Sequence, residues 1–370
     1  MSEKTEKSNN LKKRKSGKNA GLSSEKHTSK HDFKHNFKHN SIYRKRFSNR
    51  CTSPFKFRNT SPQGGADERM KGWILYKSTA AELRPDLYEI HRFIEVAGEK
   101  GIELRVVKPD QFDLIVTRDD RKSILLDGEV VPLPDFLLPR MGAGTTYFAL
   151  AVIRHLERLG VCVFNSSQSI DTVKDKLYSQ QILAERGISS PNTMFAKNPV
   201  NINLVEKYLG FPLIVKALSG SMGKGIFLSE NHDNLRDIME LIHVTNPNAN
   251  IILQEFIKSS LGRDLRVLVI GGRAVACMER IAPAGSFKSN YSRGGEVRKF
   301  DMTPEIEQLA TETARTFGLD IAGIDLLFNG DHFKVCEANS SPGFEGIEKC
   351  CEVNVAGMIY DFVRGKVGEK

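Results

Sequence analysis

The stretch GIDLLFNGDHFKVCEANSSPGFEGIEK, residues 323–349, decides the reading of this chain. Two apolar runs flank Asn329-Gly330, a turn signal, so its first two thirds read as a β-hairpin. Asp325 lies in the first strand; Glu337 and Asn339 lie in the second and share a face, because strand side chains alternate with period two. Whether Asp325 joins them depends on the loop. A two-residue Asn-Gly turn sets Asp325 opposite Lys334 as a cross-strand salt bridge, whereas a loop of odd length sets it facing Glu337. The odd loop is the expectation adopted here. Carboxylates about 5 Å apart at an effective dielectric of about 20 repel by ~3 kcal/mol, so such a pair demands a cation. Oxygen-only ligands suit Mg²⁺ or Mn²⁺ held jointly with nucleotide phosphates.

Upstream, FPLIVKALSGSMGKGIFL (residues 211–228) reads as strand, glycine-rich turn, strand. Lys216 falls near the end of the first strand and Gly220, Gly223 and Gly225 in the turn, where backbone N–H groups approach phosphate oxygens and the lysine supplies a point charge. A Walker A loop is excluded, since Lys224 is followed by Gly225 and a strand comes next. Taken alone, the segment is equally a hairpin with a flexible tip and an edge lysine. LQEFIKSSLGRDLRVLVI (253–270) places Asp264 and Arg266 two apart on a strand, and GSFKSNYSRGG (285–295) gathers Lys288, Asn290 and Arg293 in a polar loop. That loop is either a cationic clamp facing a metal-bound triphosphate or a solvated connection.

The frame around these segments is mixed. GWILYKS (72–78), LYEIHRFIEVAGEKG (87–101) and IELRVVKP (102–109) read as strand, amphipathic helix and strand, a βαβ opening. PDFLLPRMG (134–142) adds a short apolar strand, TTYFALAVIRHLERLG (145–160) a helix stopped at Gly160, and VCVFNS (161–166) a further strand. Residues 168–189 form one helical pattern closed by Gly187, and strand patterns dominate from there through LVIGGRAVACMERI (268–281). Helix returns at TPEIEQLATETARTFG (303–318) and at VNVAGMIYDFVRG (353–365). The order gives α+β after an α/β opening.

The net charge of +9 is misleading: residues 1–60 hold 17 Lys+Arg against 4 Asp+Glu, leaving 37 against 41 in the rest. Residues 1–68 show no periodicity and are predicted to be a disordered basic tail. The run Lys12 to Lys15 with scattered Phe and Tyr downstream suits nucleic acid or a nuclear address, or serves only solubility. His27, His31, His35 and His39 recur at helical spacing, more simply low-complexity drift than a metal site. The six cysteines form no C-x-x-C pair and are expected to be reduced, buried thiols. No apolar run approaches the ~20 residues that cross a bilayer, and the amino terminus lacks a secretory core, so a cytoplasmic location is expected.

Taken in order, DKLYSQQILAERGI (175–188), IVKALSGSMGKGI (214–226), LQEFIKSS-LGRDLR (253–266), FKSNYSRGGE (287–296), IAGIDLL (321–327) and, most specifically, EANSSPGFEGIEK (337–349) resemble the ATP-grasp ligases of the RimK-like glutamate ligase type. The resemblance covers residues 71–365. It implies an ATP-grasp fold, α/β plus α+β: a pre-ATP-grasp domain at 69–167 and an ATP-grasp domain at 168–365, with lobes 168–253 and 254–365. It also implies roles. Lys176 and Lys216 would hold ATP phosphates, under a flap containing Gly223 and Gly225; Glu255 and Phe256 would lie in the hinge beside adenine and ribose; Asp264 would line the nucleotide site. Lys288, Ser289 and Asn290 would contact phosphate, and Asp325, Glu337 and Asn339 would hold two Mg²⁺ or Mn²⁺ ions. Lys288 stands where the family usually has Arg, losing a planar fork. Ala338 replaces the usual Val, a change expected to be silent.

The implied activity joins L-glutamate, at the expense of ATP, to the carboxylate of a protein C-terminus or a small acid through an acyl phosphate. Lys288, Asn290 and Arg293 would neutralise developing charge, and Arg293 or Arg140 would bind a substrate carboxylate. Three other readings stand beside it: a ligase for another amino acid, of the aminoadipate type; a nucleic-acid-binding protein on an inactive ligase scaffold; and a kinase, whose product would be a stable phosphate. The intact acidic set argues against the inactive scaffold. A homo-oligomer is compatible with the sequence.

Overall fold

In the computed structural model, the residues described are 69–84, 87–117, 124–218, 225–283 and 295–369. The basic tail and the histidine near-repeat lie outside them. The first layer follows from the βαβ opening. Strand β1 (Lys71–Leu75), helix α1 (Tyr88–Glu99) and strand β2 (Glu103–Val107) are followed by a small antiparallel pair, β3 (Phe112–Leu114) and β4 (Ile124–Leu126). Then come β5 (Phe136–Pro139), α2 (Tyr147–Arg158) and β6 (Cys162–Val163), and the sheet order is β2-β1-β5-β6, all parallel. Helix α1 buries Ile90, Phe93, Val96 and Ala97 along one stripe. Helix α2 is capped by Thr146, whose hydroxyl accepts from the Ala149 N–H at 3.1 Å.

The helical pattern at 168–189 is two helices, α3 (Ser167–Lys174) and α4 (Lys176–Glu185). The break is at Asp175, which takes an extended conformation and accepts from the Leu177 and Tyr178 N–H groups, starting a new helix instead of continuing the old one. The next region also differs from the expected run of strands. Strand β7 (Thr193–Phe195) leads to α5 (Ile202–Leu209), then β8 (Leu213–Ala217), β9 (Ile226–Ser229), α6 (His232–Thr245) and β10 (Ile251–Glu255). Asn201 and Asn231 cap the two unexpected helices, which pack Ile202, Val205 and Leu209 and then Leu235, Ile238, Met239 and Ile242 on the sheet that follows. The sheet is antiparallel in the order β7-β10-β8-β9.

The largest sheet runs β13-β12-β11-β14-β15, entirely antiparallel. Its strands are β11 (Arg263–Ile270), β12 (Arg273–Ile281), β13 (Glu296–Lys299), β14 (Ile321–Asn329) and β15 (His332–Asn339). Helix α7 (Pro304–Phe317), capped by Thr303 and ended by Gly318, covers one face with Ile306, Ala310, Ala314 and Phe317 against Val267, Val269, Ile324 and Leu326. Helices α8 (Glu345–Cys351) and α9 (Val355–Gly368) cover part of the other. There Phe344, Ile359 and Tyr360 join Phe93 and Phe136 of the parallel layer to Leu268, Ile270 and Met278 in one core. The Tyr360 hydroxyl donates to the Phe93 carbonyl at 2.9 Å.

That second face changes character along the strands. Toward α9 it is apolar, at Leu268, Ile270, Ala276 and Ile321. Toward the other end the same side of β11, β12, β14 and β15 carries Asp264, Arg266, Arg280, Asp325 and Glu337. Among the described residues no helix is long and apolar enough to cross a membrane.

Candidate active site

The β14–β15 hairpin sets the first constraint. Its turn is Gly330–Asp331, since Asn329 pairs with His332, and Leu327 therefore pairs with Lys334. The expected odd-length loop is not what brings the acids together. The loop has two residues, one position later than the Asn-Gly signal implied, and left Asp325 due to face Cys336. A β-bulge corrects the phase: Leu326 pairs with Val335 but Asp325 pairs with Glu337, leaving Cys336 as the extra residue. Gly323 then faces Asn339, whose amide lies 3.5 Å from Asp325 Oδ2. Lys334 is bound elsewhere, to Glu255 Oε2 at 2.9 Å, so the cross-strand salt bridge to Asp325 does not form.

Asp325 is enclosed in a row of charges that crosses three strands. Arg266, directly opposite on β11, donates Nε to Oδ1 and Nη2 to Oδ2, both at 2.8 Å. Arg280 on β12 donates Nη2 to Oδ2 at 2.9 Å, and its fork also grips Asp264 at 2.7 and 2.8 Å. Burial acts to raise the Asp325 pKa, yet the Arg266 and Arg280 guanidinium groups overcome it and hold the carboxyl below its ordinary value. For Arg280, burial works against the charged form, but Asp325 and Asp264 more than compensate. The Glu337 side chain makes no hydrogen bond or ion pair among the described residues.

A second wall comes from the four-stranded sheet. On β8, Leu213 and Val215 point into the helix-covered core, so Lys216 points the other way, toward the five-stranded sheet. Its ammonium donates to Gln254 Oε1 at 2.5 Å and lies 3.7 Å from Cys336 Sγ. Gln254 in turn donates to Thr193 Oγ1 at 2.9 Å. Burial pushes the Cys336 thiol up to about 11 despite the pull of Lys216. Gly225, the last residue of the glycine-rich turn, has φ +71°, and a Cβ there would sit 3.2 Å from that of Ala217. Lys176 is the first residue of α4, and one turn on Gln180 donates to the Cys336 carbonyl at 3.0 Å, docking that helix on β15. Glu255 ends β10; besides Lys334 it accepts from the Asn192 N–H at 3.1 Å, and Phe256 beside it is half-buried.

The structure thus gathers Asp325, Glu337, Asn339 and Asp264 on one face of the five-stranded sheet, with Lys216 reaching Cys336 beside them from the four-stranded sheet. Gly223, Lys288, Ser289, Asn290 and Arg293 lie outside the described residues. Arg140 is buried away from these residues' row of charges, against the parallel layer. It donates to the Pro342 carbonyl at 2.6 Å and packs near the rings of Phe93 and Phe344, and burial lowers its pKa.

The donor set fits a hard divalent cation: two carboxylates and an amide oxygen, few enough to leave places for phosphate oxygens and water. Among the described residues no group of three or more His, Cys, Asp or Glu is arranged to hold a metal alone.

The residues missed by sequence reasoning are Arg280, Gln254, Cys336 and Asn165. Asn165 Oδ1 accepts from the Asp320 and Ile321 N–H groups at 2.5 and 2.9 Å, while Nδ2 donates to the Ile321 and Ser340 carbonyls at 2.6 and 2.7 Å. It ties the parallel layer to both strands of the hairpin. A usable signal existed for three of them: Arg280, Gln254 and Asn165 are polar residues within or beside apolar strand runs, and such residues are retained where they find partners.

A family model described as the RimK-like ATP-grasp domain matches residues 173–363, and the RimK PreATP-grasp domain matches residues 81–170. The chain is 38% identical over 287 residues to a probable alpha-L-glutamate ligase 1 of Shewanella amazonensis, covering 77% of this chain and 94% of that protein. A probable alpha-L-glutamate ligase of Legionella pneumophila is 37% identical over 283 residues, covering 76% and 93%. Among solved structures, the ATP-grasp ligase PsnB, complexed with a phosphomimetic variant of minimal precursor, Mg and ADP, superposes with TM-score 0.63 at 20% identity, over 80% of this chain and 98% of that one. That last likeness speaks to the fold.

Proposed function

The chain belongs to the RimK-like ATP-grasp family and is an ATP-dependent ligase, and from that premise we propose that it adds L-glutamate to a carboxylate acceptor, a protein C-terminus or a small acid, through an acyl phosphate. The observation that carries the reading is the bulge at Cys336, which sets Asp325 against Glu337 on the strand that Lys216 approaches from the facing sheet.

In the first step an acceptor carboxylate oxygen attacks the γ-phosphorus of ATP, the bond to the β–γ bridging oxygen breaks, and ADP leaves. In the second the glutamate amine attacks the acyl carbon, the bond to the phosphate oxygen breaks, phosphate leaves, and the nitrogen gives up a proton. A carboxylate is a poor electrophile, so the protein's work is positioning and charge neutralisation. Asp325, Glu337 and Asn339 would hold two Mg²⁺ or Mn²⁺ ions, which when bound neutralise phosphate oxygens. Lys216 and Lys176 would hold phosphates, and Glu255 and Phe256 would lie beside adenine and ribose. Asp264 would line the nucleotide site. Gly223 and Gly225 would belong to a flap that excludes water, and Lys288, Ser289, Asn290 and Arg293 would meet the transferring phosphoryl group.

The test is ADP release by purified protein with Mg²⁺ and ATP, across twenty amino acids and a panel of acceptor acids, with mass spectrometry of the products. The expected result is an amide gain of one or more glutamate units. A stable phosphorylated product without amide, or amide formation only with another amino acid, would overturn it.

A further inference from the structure

We propose that Cys350 and Cys351 form a modification site, a pair of neighbouring thiols that a low-molecular-weight disulfide oxidises to an internal disulfide, opening the end of α8 and shutting off turnover. The pair takes no part in the two steps of ligation. Its Sγ atoms lie 3.6 Å apart, and Cys351 Sγ lies 3.5 Å from the Cys277 carbonyl oxygen. Both residues are half-buried, whereas Cys162 and Cys277 are buried and Cys336 lies beside Lys216. Among the described residues this is the place where two thiols meet with access to solvent.

The order of attack follows from what each sulfur touches. Burial and the hydrogen bond to Cys351 push the Cys350 thiol up to about 12, so it holds its proton and Cys351 is the first nucleophile, giving up its contact with the Cys277 carbonyl. Cys351 Sγ, as thiolate, attacks one sulfur of the small disulfide; that S–S bond breaks, and the small thiolate that leaves takes up the proton Cys351 lost. The Cys350 sulfur, already 3.6 Å away, then attacks Cys351 Sγ. The mixed disulfide breaks, and the second small thiolate takes up the Cys350 proton. Two cysteine thiols are oxidised, and one small disulfide is reduced to two small thiols.

An α-helix does not accommodate the product. A disulfide wants its Cβ atoms about 3.8 Å apart, whereas successive side chains of a helix point about 100° apart around its axis, so the backbone between adjacent cysteines leaves helical geometry as the bond closes. The turn that opens is the one on which α8 ends. Glu352, at φ +56°, closes it with its N–H on the Glu348 carbonyl at 3.1 Å. The Glu348 carboxylate in turn accepts from the Tyr88 hydroxyl at 2.7 Å, Arg92 Nε at 3.0 Å and the Val355 N–H at 2.7 Å, tying α8 to α1 and to the start of α9. At its other end α8 is joined to Asn339 by residues 340–344, and a Cβ on Gly346 would meet Met278 Sδ at 3.2 Å and Val297 Cγ1 at 3.4 Å. A helix seated that closely on β12 and β13 passes a change at its last turn to the segment that carries Asn339.

The test exposes the full chain to oxidised glutathione, alkylates it and cuts it with trypsin after Lys349 and Arg364, which leaves Cys350 and Cys351 together in a peptide with no other cysteine. The expected peptide is unalkylated and two hydrogens lighter than the reduced one. Amide exchange at Glu352 and Val355 quickens, ADP release falls at least about tenfold, and dithiothreitol reverses all three. Cys350→Ser stops at a glutathione adduct on Cys351. Cys351→Ser forms no disulfide and keeps its turnover through the treatment, and Cys351→Ala is read in the same way if the serine variant does not fold. Alkylation of both cysteines after exposure, or a lasting glutathione adduct on the wild type, overturns the modification site. A disulfide that leaves amide exchange or ADP release unaltered overturns the shut-off, as does a loss of turnover that persists in Cys351→Ser. The mass and exchange readings require no particular amino acid or acceptor, so they decide the site whatever the enzyme ligates.

Discussion

Replacing either candidate metal acid by its amide removes one negative charge, yet the structure predicts opposite consequences for stability. Asp325 accepts guanidinium bonds at 2.8, 2.8 and 2.9 Å and is buried, whereas Glu337 has no such partner among the described residues. Asp325→Asn leaves Arg266 without its counter-charge and Arg280 with only Asp264. Breaking a buried pair from one side costs about 3 kcal/mol or more. With an unfolding entropy of ~2 cal/mol/K per residue over roughly 300 residues, that lowers Tm by about 5 °C. Glu337→Gln should stay within about 0.5 kcal/mol of wild type, under ~1 °C. Binding of MgADP at about 100 times its Kd adds about 2.7 kcal/mol to wild type, and both variants should lose most of that increment together with turnover. Differential scanning fluorimetry with and without MgADP, alongside ADP release, reads all three quantities. Equal destabilisation of the two variants would refute the charge-row argument, and a Glu337→Gln protein that kept its MgADP shift and its turnover would refute the site.

Two further outcomes follow from the same geometry. Because the Asp325 pKa is held below its unfolded value, the stability from its ion pairs is complete at neutral pH and begins to fall only below the ordinary aspartate value of 3.8, disappearing as pH passes through the folded value; urea midpoints between pH 7 and 3 should drop less steeply in Asp325→Asn. Asn165→Ala orphans two N–H and two carbonyl groups at the start of β14 and the end of β15, costing about 3 kcal/mol or more by urea unfolding and raising the Mg²⁺ needed for half-maximal turnover, because Ser340 adjoins Asn339.

Much of the frame was legible because its signals are local. The alternation of apolar runs with stripes such as Ile90, Phe93 and Val96 marks the parallel layer, and Thr303 with Gly318 brackets α7. The helices α5 and α6 were legible and were missed: Ile202, Val205 and Leu209, then Leu235, Ile238, Met239 and Ile242, recur at helical spacing behind the asparagine caps Asn201 and Asn231. The split at Asp175 carries no glycine or proline to announce it. In the candidate site, residue types were legible and their phase was not. The turn signal at Asn329-Gly330 was displaced by one residue, and a bulge leaves no mark in a sequence beyond strand length. The partners of the acids were equally hidden, since Arg280 meets Asp325 across β11, from a strand that is not its neighbour in the sheet.

The bulge at Cys336 also partitions the hairpin mechanically. Between it and the Gly330–Asp331 tip lie four ladder pairs whose registration is independent of the pairs beyond it. Sliding the outer rungs would require the extra residue to migrate along β15, stripping Cys336 of the Gln180 bond to its carbonyl. The tip is therefore a place where inserted sequence, such as an epitope or a fluorophore attachment site, can be carried without retuning the acids farther down the strands.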